Sequence, residues 1–241
     1  MKRILPFIII LAVLGVALGS AWYMTRTKPA SSSGENPTTP ASPVSPGSQA
    51  KPTPVVARTG VPGAEPPNTL GPPNAPVRLE EFGDFECPPC GAFHPIVKQM
   101  KQEFGDKLQF TFREFPLPNH AHAIPAASAA EAAGLQGKFW EMHGLIFDHQ
   151  KDWKGQFDVR PIFEGYAKQI GLDVERFKRD VESDRVEQRI FLDGKRARSM
   201  GVNSTPTVFM NGREVPFEQL AADSLRVLIQ NELRAAAAGQ K

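Results

Sequence analysis

The chain has 241 residues, with 28 lysines and arginines against 26 aspartates and glutamates, a formal net charge of +2 and a pI of about 8.5. A balance so close to neutral gives no electrostatic footprint for a nucleic-acid partner. Two cysteines are too few for a disulfide-built scaffold, and the length allows one or two domains.

Met1-Lys2-Arg3 is followed by an uncharged, apolar run over residues 4–24. About 20 residues at about 1.5 Å each match a bilayer core of about 30 Å. Trp22 and Tyr23 fall at the far end, where amphipathic rings favour the interface. The basic start predicts an N-terminal transmembrane anchor over residues 1–24, with the bulk of the chain outside the cytoplasm. The competing reading is a cleaved signal segment, for which Gly19 and Ala21 offer small residues. Both readings export the rest of the chain. No cysteine follows directly on the run, which argues against a lipoprotein anchor.

Thirteen of the 23 prolines fall between residues 28 and 76, and no aromatic residue occurs between Tyr23 and Phe82. Such a stretch buries too little apolar surface to fold. Residues 25–74 are therefore expected to be a disordered Pro/Ser-rich linker, a semi-extended tether. Globular sequence is expected over 75–241.

Val77, Leu79 and Glu81 share one face of a predicted strand, with Phe82 on the other. A helix comes next over residues 88–104, its apolar stripe made by Phe93, Ile96, Val97 and Met100 and its axis interrupted by Pro95. Leu108, Phe110 and Phe112 alternate with polar residues as a second strand. Residues from about 119 to 184 read as a helical block. Within it fall an alanine-rich helix, one marked by Phe139, His143, Ile146 and Gln150, and one ending at Gly171. A short helix capped by Asp173 completes it. A longer helix spans 186–200. Asn211-Gly212 between two apolar runs predicts a two-residue hairpin, and a last helix runs from about 223 to 236.

The chemistry gathers at Cys87-Pro88-Pro89-Cys90, which holds the only two cysteines. Prolines suit the first turn of a helix, where an N–H has no intrahelical partner. The pair therefore lies where a strand turns into a helix, with Cys87 at the helix N-terminus. Unpaired N–H groups and the helix dipole favour a thiolate there, and a second thiol is in reach to resolve a mixed disulfide. The residues point to thiol–disulfide exchange. Two other uses compete with it. A static disulfide closing so short a loop would remove little chain entropy. A metal site could draw on Cys87, Cys90 and His94, with His120 or His122 as a fourth ligand, yet zinc sites bring two clear ligand pairs. The three histidines read as surface or packing residues, although His94 would steady a thiolate if its ring pointed back at Cys87. Asp84 and Glu86 read as a solvated loop. Nothing in the sequence asks for a metal or an organic cofactor.

Strand, CxxC at a helix start, strand, helical block, helix, Thr-Pro, hairpin and helix together resemble a thioredoxin fold with an α-helical insertion, an α/β architecture. The chain resembles more closely the DsbA family of bacterial envelope disulfide oxidoreductases, in its BdbD-like branch. The residues that carry this are the stretches 81–90, 112–117, 137–143 and 201–207. The resemblance implies that Cys87 is the attacking cysteine and Cys90 its buried resolving partner. It implies a cis Pro206 facing the disulfide, with the Thr205 backbone left to pair with an extended substrate. Glu81 matches an acidic position held to relay protons beneath Cys90. The resemblance also implies substrate proteins with cysteine thiols and a DsbB-like or VKOR-like membrane partner to reset the disulfide. The expected location is the bacterial cell envelope, periplasm or cell surface, with the domain held at the membrane by its N-terminal helix. A reductase in envelope thiol or cytochrome c maturation, and a non-catalytic binding module on the same fold, are the alternatives.

Overall fold

Five strands and eight helices are built from residues 59–239, the part of the chain that the computed structural model describes. The expected anchor over 1–24, and the expected linker as far as residue 58, lie outside the described residues. Among the described residues, no helix is long and apolar enough to cross a membrane.

The strands are β1 (Asn68–Leu70), β2 (Val77–Gly83), β3 (Leu108–Glu114), β4 (Thr207–Met210) and β5 (Arg213–Val215), in the sheet order β1-β3-β2-β4-β5. Strand β2 lies at the centre. It runs parallel to β3, with Glu81 opposite Phe112, and antiparallel to β4, with Glu81 opposite Val208. Its alternation is as expected: Val77, Leu79 and Glu81 are buried on one face and Phe82 on the other, so both faces of the sheet are covered. Asn211 and Gly212 both take positive φ, 49° and 78°, in the tight turn that joins β4 to β5.

One face carries helix α1 (Pro88–Phe104), the helical block and the last helix. The block consists of α2 (Ala123–Gly134), α3 (Phe139–Asp148), α4 (Gln150–Trp153), α5 (Arg160–Gln169) and α6 (Val174–Val181). Helix α1 continues through Pro95, and α6 is capped by Asp173, whose carboxylate accepts the Arg176 N–H at 2.9 Å. Helix α7 (Asp184–Ser199) covers the other face, where Ala197 packs with Phe82, Met200, Val202 and Phe209. Helix α8 (Ala222–Ala238) sends Leu225 and Ile229 into the larger core. The block sits between β3 and α7 in sequence, the position expected for an insertion into a thioredoxin fold.

The folded part begins earlier than residue 75. Strand β1 pairs antiparallel with β3, Leu70 opposite Phe110, inside the stretch expected to be linker. The residues before it are tied to α7 and β3 through their backbone. Arg196 Nη1 donates to the carbonyls of Thr59 and Val61, each at 2.9 Å. The Ala64 N–H donates to Asp193 Oδ1 at 2.7 Å, and Arg113 Nη1 donates to the Ala64 carbonyl at 2.8 Å. Arg113 and Arg196 in turn share Glu80, at 2.9 and 2.7 Å. A Pro-rich segment without aromatic residues is thus ordered by partners far along the chain rather than by its own apolar pattern.

Candidate active site

Strand β2 ends at Gly83 and delivers Asp84-Phe85-Glu86 to the start of α1. Asp84 is fully buried and organises this loop. Its Oδ1 accepts the Glu86 N–H at 2.8 Å, and its Oδ2 accepts the Leu117 N–H at 2.8 Å and faces His120 Nδ1 at 2.7 Å. The Cys87 N–H donates to the Asp84 carbonyl at 3.1 Å. Cys87 is the N-cap of α1, with Pro88 and Pro89 in the first turn, as the sequence predicts.

The register of β4 on β2, Phe82 opposite Thr207, carries the preceding Thr205–Pro206 peptide to the end of β2. That peptide is cis. Cys87 Sγ lies 3.3 Å from the Thr205 carbonyl oxygen. Two segments 118 residues apart therefore meet at one sulfur. Both cysteines are free thiols; Cys90 is wholly buried and Cys87 is 4% exposed.

The two sulfurs differ in acidity for physical reasons. Cys87 is brought down to about 6, first by the hydrogen bond from the Cys90 thiol, then by the Thr205 side chain and the Cys90 N–H, against burial and the Asp84 charge. As a thiol, Cys87 donates to the Thr205 carbonyl. As a thiolate it gives up that acceptor and gains a donor in the Thr205 hydroxyl, a buried group with no other hydrogen-bond partner among the described residues. Burial pushes Cys90 well above the ordinary thiol range, assisted by its bond to Cys87 and by the charges of Glu81 and Cys87. Glu81 is 3% exposed, its Oε1 has no hydrogen-bond partner among the described residues, and burial, then the Cys87 charge, pushes it up to about 8. At neutral pH the site thus pairs a thiolate with a buried carboxylic acid, within electrostatic reach of one another.

The structure brings Cys87, Cys90, Thr205, Pro206 and Glu81 into one site. The three histidines go to separate partners. His94 Nε2 lies 3.3 Å from Asp148, and its ring stacks on Phe147; burial lowers its pKa. His120 faces Asp84, and His122 gives its N–H to Glu86 and its Nε2 faces the Gln156 carbonyl at 2.8 Å. Asp84 and Glu86 are therefore not a solvated loop: Asp84 has little room for water, because three groups of the chain occupy its oxygens. Sequence reasoning also passed over Gln150 and His143 as site residues. His143 is buried among Phe85, Phe112, Trp140 and Phe147, and burial holds it well below its ordinary pKa. The signal for both was present: each is a polar residue at an inward position of an otherwise apolar helical stripe.

The thioredoxin family profile matches residues 64–231. The chain belongs to the thioredoxin family. Among solved structures it is similar to oxidised BdbD from Bacillus subtilis, at 25% identity and a TM-score of 0.63, over 73% of this chain and 98% of that one. It is also similar to the thiol-disulfide exchange protein alpha-DsbA2 from Wolbachia pipientis, at 25% identity and a TM-score of 0.58, over 68% of this chain and 86% of that one. A Na(+)/H(+) antiporter NhaA 1 from Mycolicibacterium gilvum is 41% identical over 161 residues, 66% of this chain. The chain spans about a quarter of the length of such antiporters, 25% in that case. The thioredoxin-like fold of this family member is of the DsbA kind, and its structural neighbours include thiol-disulfide exchange proteins.

Proposed function

We propose that this thioredoxin-family protein is a thiol-disulfide oxidoreductase that oxidises cysteine thiols of substrate proteins outside the cytoplasm through the Cys87–Cys90 pair. The observation that carries the reading is the contact of Cys87 Sγ with the Thr205 carbonyl, 3.3 Å away beside a cis Pro206, at the first turn of α1. An attacking sulfur needs a low pKa and a route in; Cys87 has the first by its donors and the second by being the more exposed of the pair. In the oxidised form, a substrate thiolate attacks Cys87 Sγ and breaks its bond to Cys90. The leaving Cys90 sulfur takes a proton, for which Glu81 is the acid at hand. A second substrate thiolate attacks the substrate sulfur of the mixed disulfide and releases Cys87 as a thiolate. Two electrons pass to the cysteine pair and one disulfide forms in the substrate. Thr205 presents its backbone to the substrate chain, and Pro206 keeps a ring without N–H beside the sulfurs.

The thiolate bears on the direction. Whatever stabilises the reduced pair makes the disulfide a stronger oxidant. A Cys87 brought down to about 6 supports the oxidase reading, which the reduction potential tests. A quinone-linked membrane partner of the DsbB or VKOR type would return the pair to the disulfide. The BdbD-like branch, the membrane anchor over residues 1–24 and a place in the bacterial envelope belong to the same proposal, supported by the apolar run behind the basic start. Trapping tests it. Cys90→Ser should accumulate mixed disulfides with thiol-bearing proteins, and Cys87→Ser should form none and lose all turnover. A fully active Cys90→Ser variant contradicts the two-thiol scheme. A reduction potential near about −120 mV fits an oxidant, and one near about −270 mV would turn the reading to reductase.

A further inference from the structure

A buried amide joins the helical block to the redox turn. Gln150 opens α4, and its Nε2 donates to the Phe85 carbonyl at 2.7 Å and to the Cys87 carbonyl at 2.8 Å. Those carbonyls bracket Glu86 and end on the nucleophile's own peptide. The Cys87 carbonyl also accepts the Gly91 N–H at 3.1 Å, the first intrahelical bond of α1. Gly91 makes the notch in which the amide lies. A Cβ at that residue would fall 2.5 Å from Gln150 Oε1 and 2.9 Å from its Cδ. The other end of α4 is fixed by Trp153, which is fully buried and donates to the Ile146 carbonyl of α3 at 2.7 Å. The side chain of Gln150 is thus a strut with one end in the block and the other on the backbone that carries Cys87.

We propose that Gln150 is a positioning residue for Cys87: it holds the carbonyls of Phe85 and Cys87, and so fixes the backbone that aims Sγ at the donors of Cys90 and Thr205. The inference rests on the thiol-disulfide reading and adds a residue to it from outside the thioredoxin core. The physical reason is twofold. A carbonyl oxygen without a donor carries negative lone pairs close to where a thiolate charge must reside; the amide hydrogens neutralise that of Phe85 and add a second donor to that of Cys87, which the Gly91 N–H also reaches. A backbone released from the strut can also turn the sulfur away from donors that act only at hydrogen-bond distance.

The test compares reduced wild type, Gln150→Met, Gly91→Ala and the double variant. It reads the pH midpoint of the Cys87 thiolate by its ultraviolet absorbance, the exchange equilibrium with glutathione, and the Tm. Methionine matches glutamine in length and lacks the donor. Gln150→Met should raise the midpoint by about one and move the exchange equilibrium about tenfold toward the disulfide. Gly91→Ala should do the same by displacing the amide. The double variant should exceed neither, because both changes remove one contact. A Gln150→Met variant with a lower Tm but the wild-type midpoint and equilibrium makes Gln150 a structural strut only and overturns the proposal. Additive effects in the double variant overturn it as well. If Gln150→Met does not fold, Gly91→Ala decides alone, and an unchanged midpoint is fatal. An ordinary thiol midpoint in the wild type would instead overturn the exchange reading, a result distinct from any difference among the variants.

Discussion

Glu81 holds its proton at neutral pH because its carboxyl lies in a core without a hydrogen-bond donor to ionise against. Its pKa stands near 8 rather than 4.5. Between those values the folded chain binds a proton that the unfolded chain has lost, so this group makes stability fall as pH rises across that window. From pH 4.5 to pH 7 the loss is of order 3 kcal/mol. Glu81→Gln lacks the titration. In denaturant unfolding of the reduced protein, the variant should gain on wild type by roughly that amount between pH 4.5 and 7, while its exchange rate with substrate thiols falls. Parallel pH profiles for the two proteins would place Glu81 in contact with water and remove it from the site. The Glu81 charge helps to raise Cys90, after burial and the bond to Cys87, so the two groups are within electrostatic reach.

At the scale of elements, the N-terminal strap and β1 complete the sheet. They cover the edge of β3 and place Ala64 against the buried pair of Arg113 and Asp193, 3.0 Å apart. A chain that starts at residue 75 would leave that edge open and Arg113 and Asp193 short of their backbone partners. It should melt well below one that starts at residue 59, by about 2–4 °C for each 1 kcal/mol lost in a domain of this size; equal melting temperatures would show the strap to be dispensable. Such partners also mark the limit of what the residues alone could tell. Strands β2 and β3, α1, the Asn-Gly hairpin and the block were legible because each carries a period or a turn residue of its own. The strap carries neither; its order is written in Arg113, Asp193, Arg196 and Ser199, which read locally as ordinary helix and strand residues. The site divided in the same way. Cys87, Cys90, Thr205, Pro206 and Glu81 stand in recognisable local settings. Asp84 and Gln150 act by hydrogen bonds to backbone; the helical stripe marks Gln150 as an inward polar residue but does not say which carbonyls it meets.

At the scale of the whole molecule, the redox state and the stability of the fold are linked through Cys87. Its thiol titrates near 6 in the folded chain against an ordinary 9.0. Between those values the reduced folded protein has released a proton that the unfolded protein keeps, so stability from this group rises with pH over the window and is lost as pH falls through about 6. The oxidised protein has no such group. The difference in unfolding free energy between reduced and oxidised forms should therefore move in favour of the reduced form from pH 6 to pH 9; a flat difference would mean that the fold does not favour the thiolate. The same property is open to a more direct reading. The rate at which reduced protein is alkylated, monitored against pH, reports the thiolate of Cys87 alone, because Cys90 is wholly buried. The midpoint should fall near 6; one at about 9, that of an unperturbed cysteine, would contradict a Cys87 thiolate favoured by its donors.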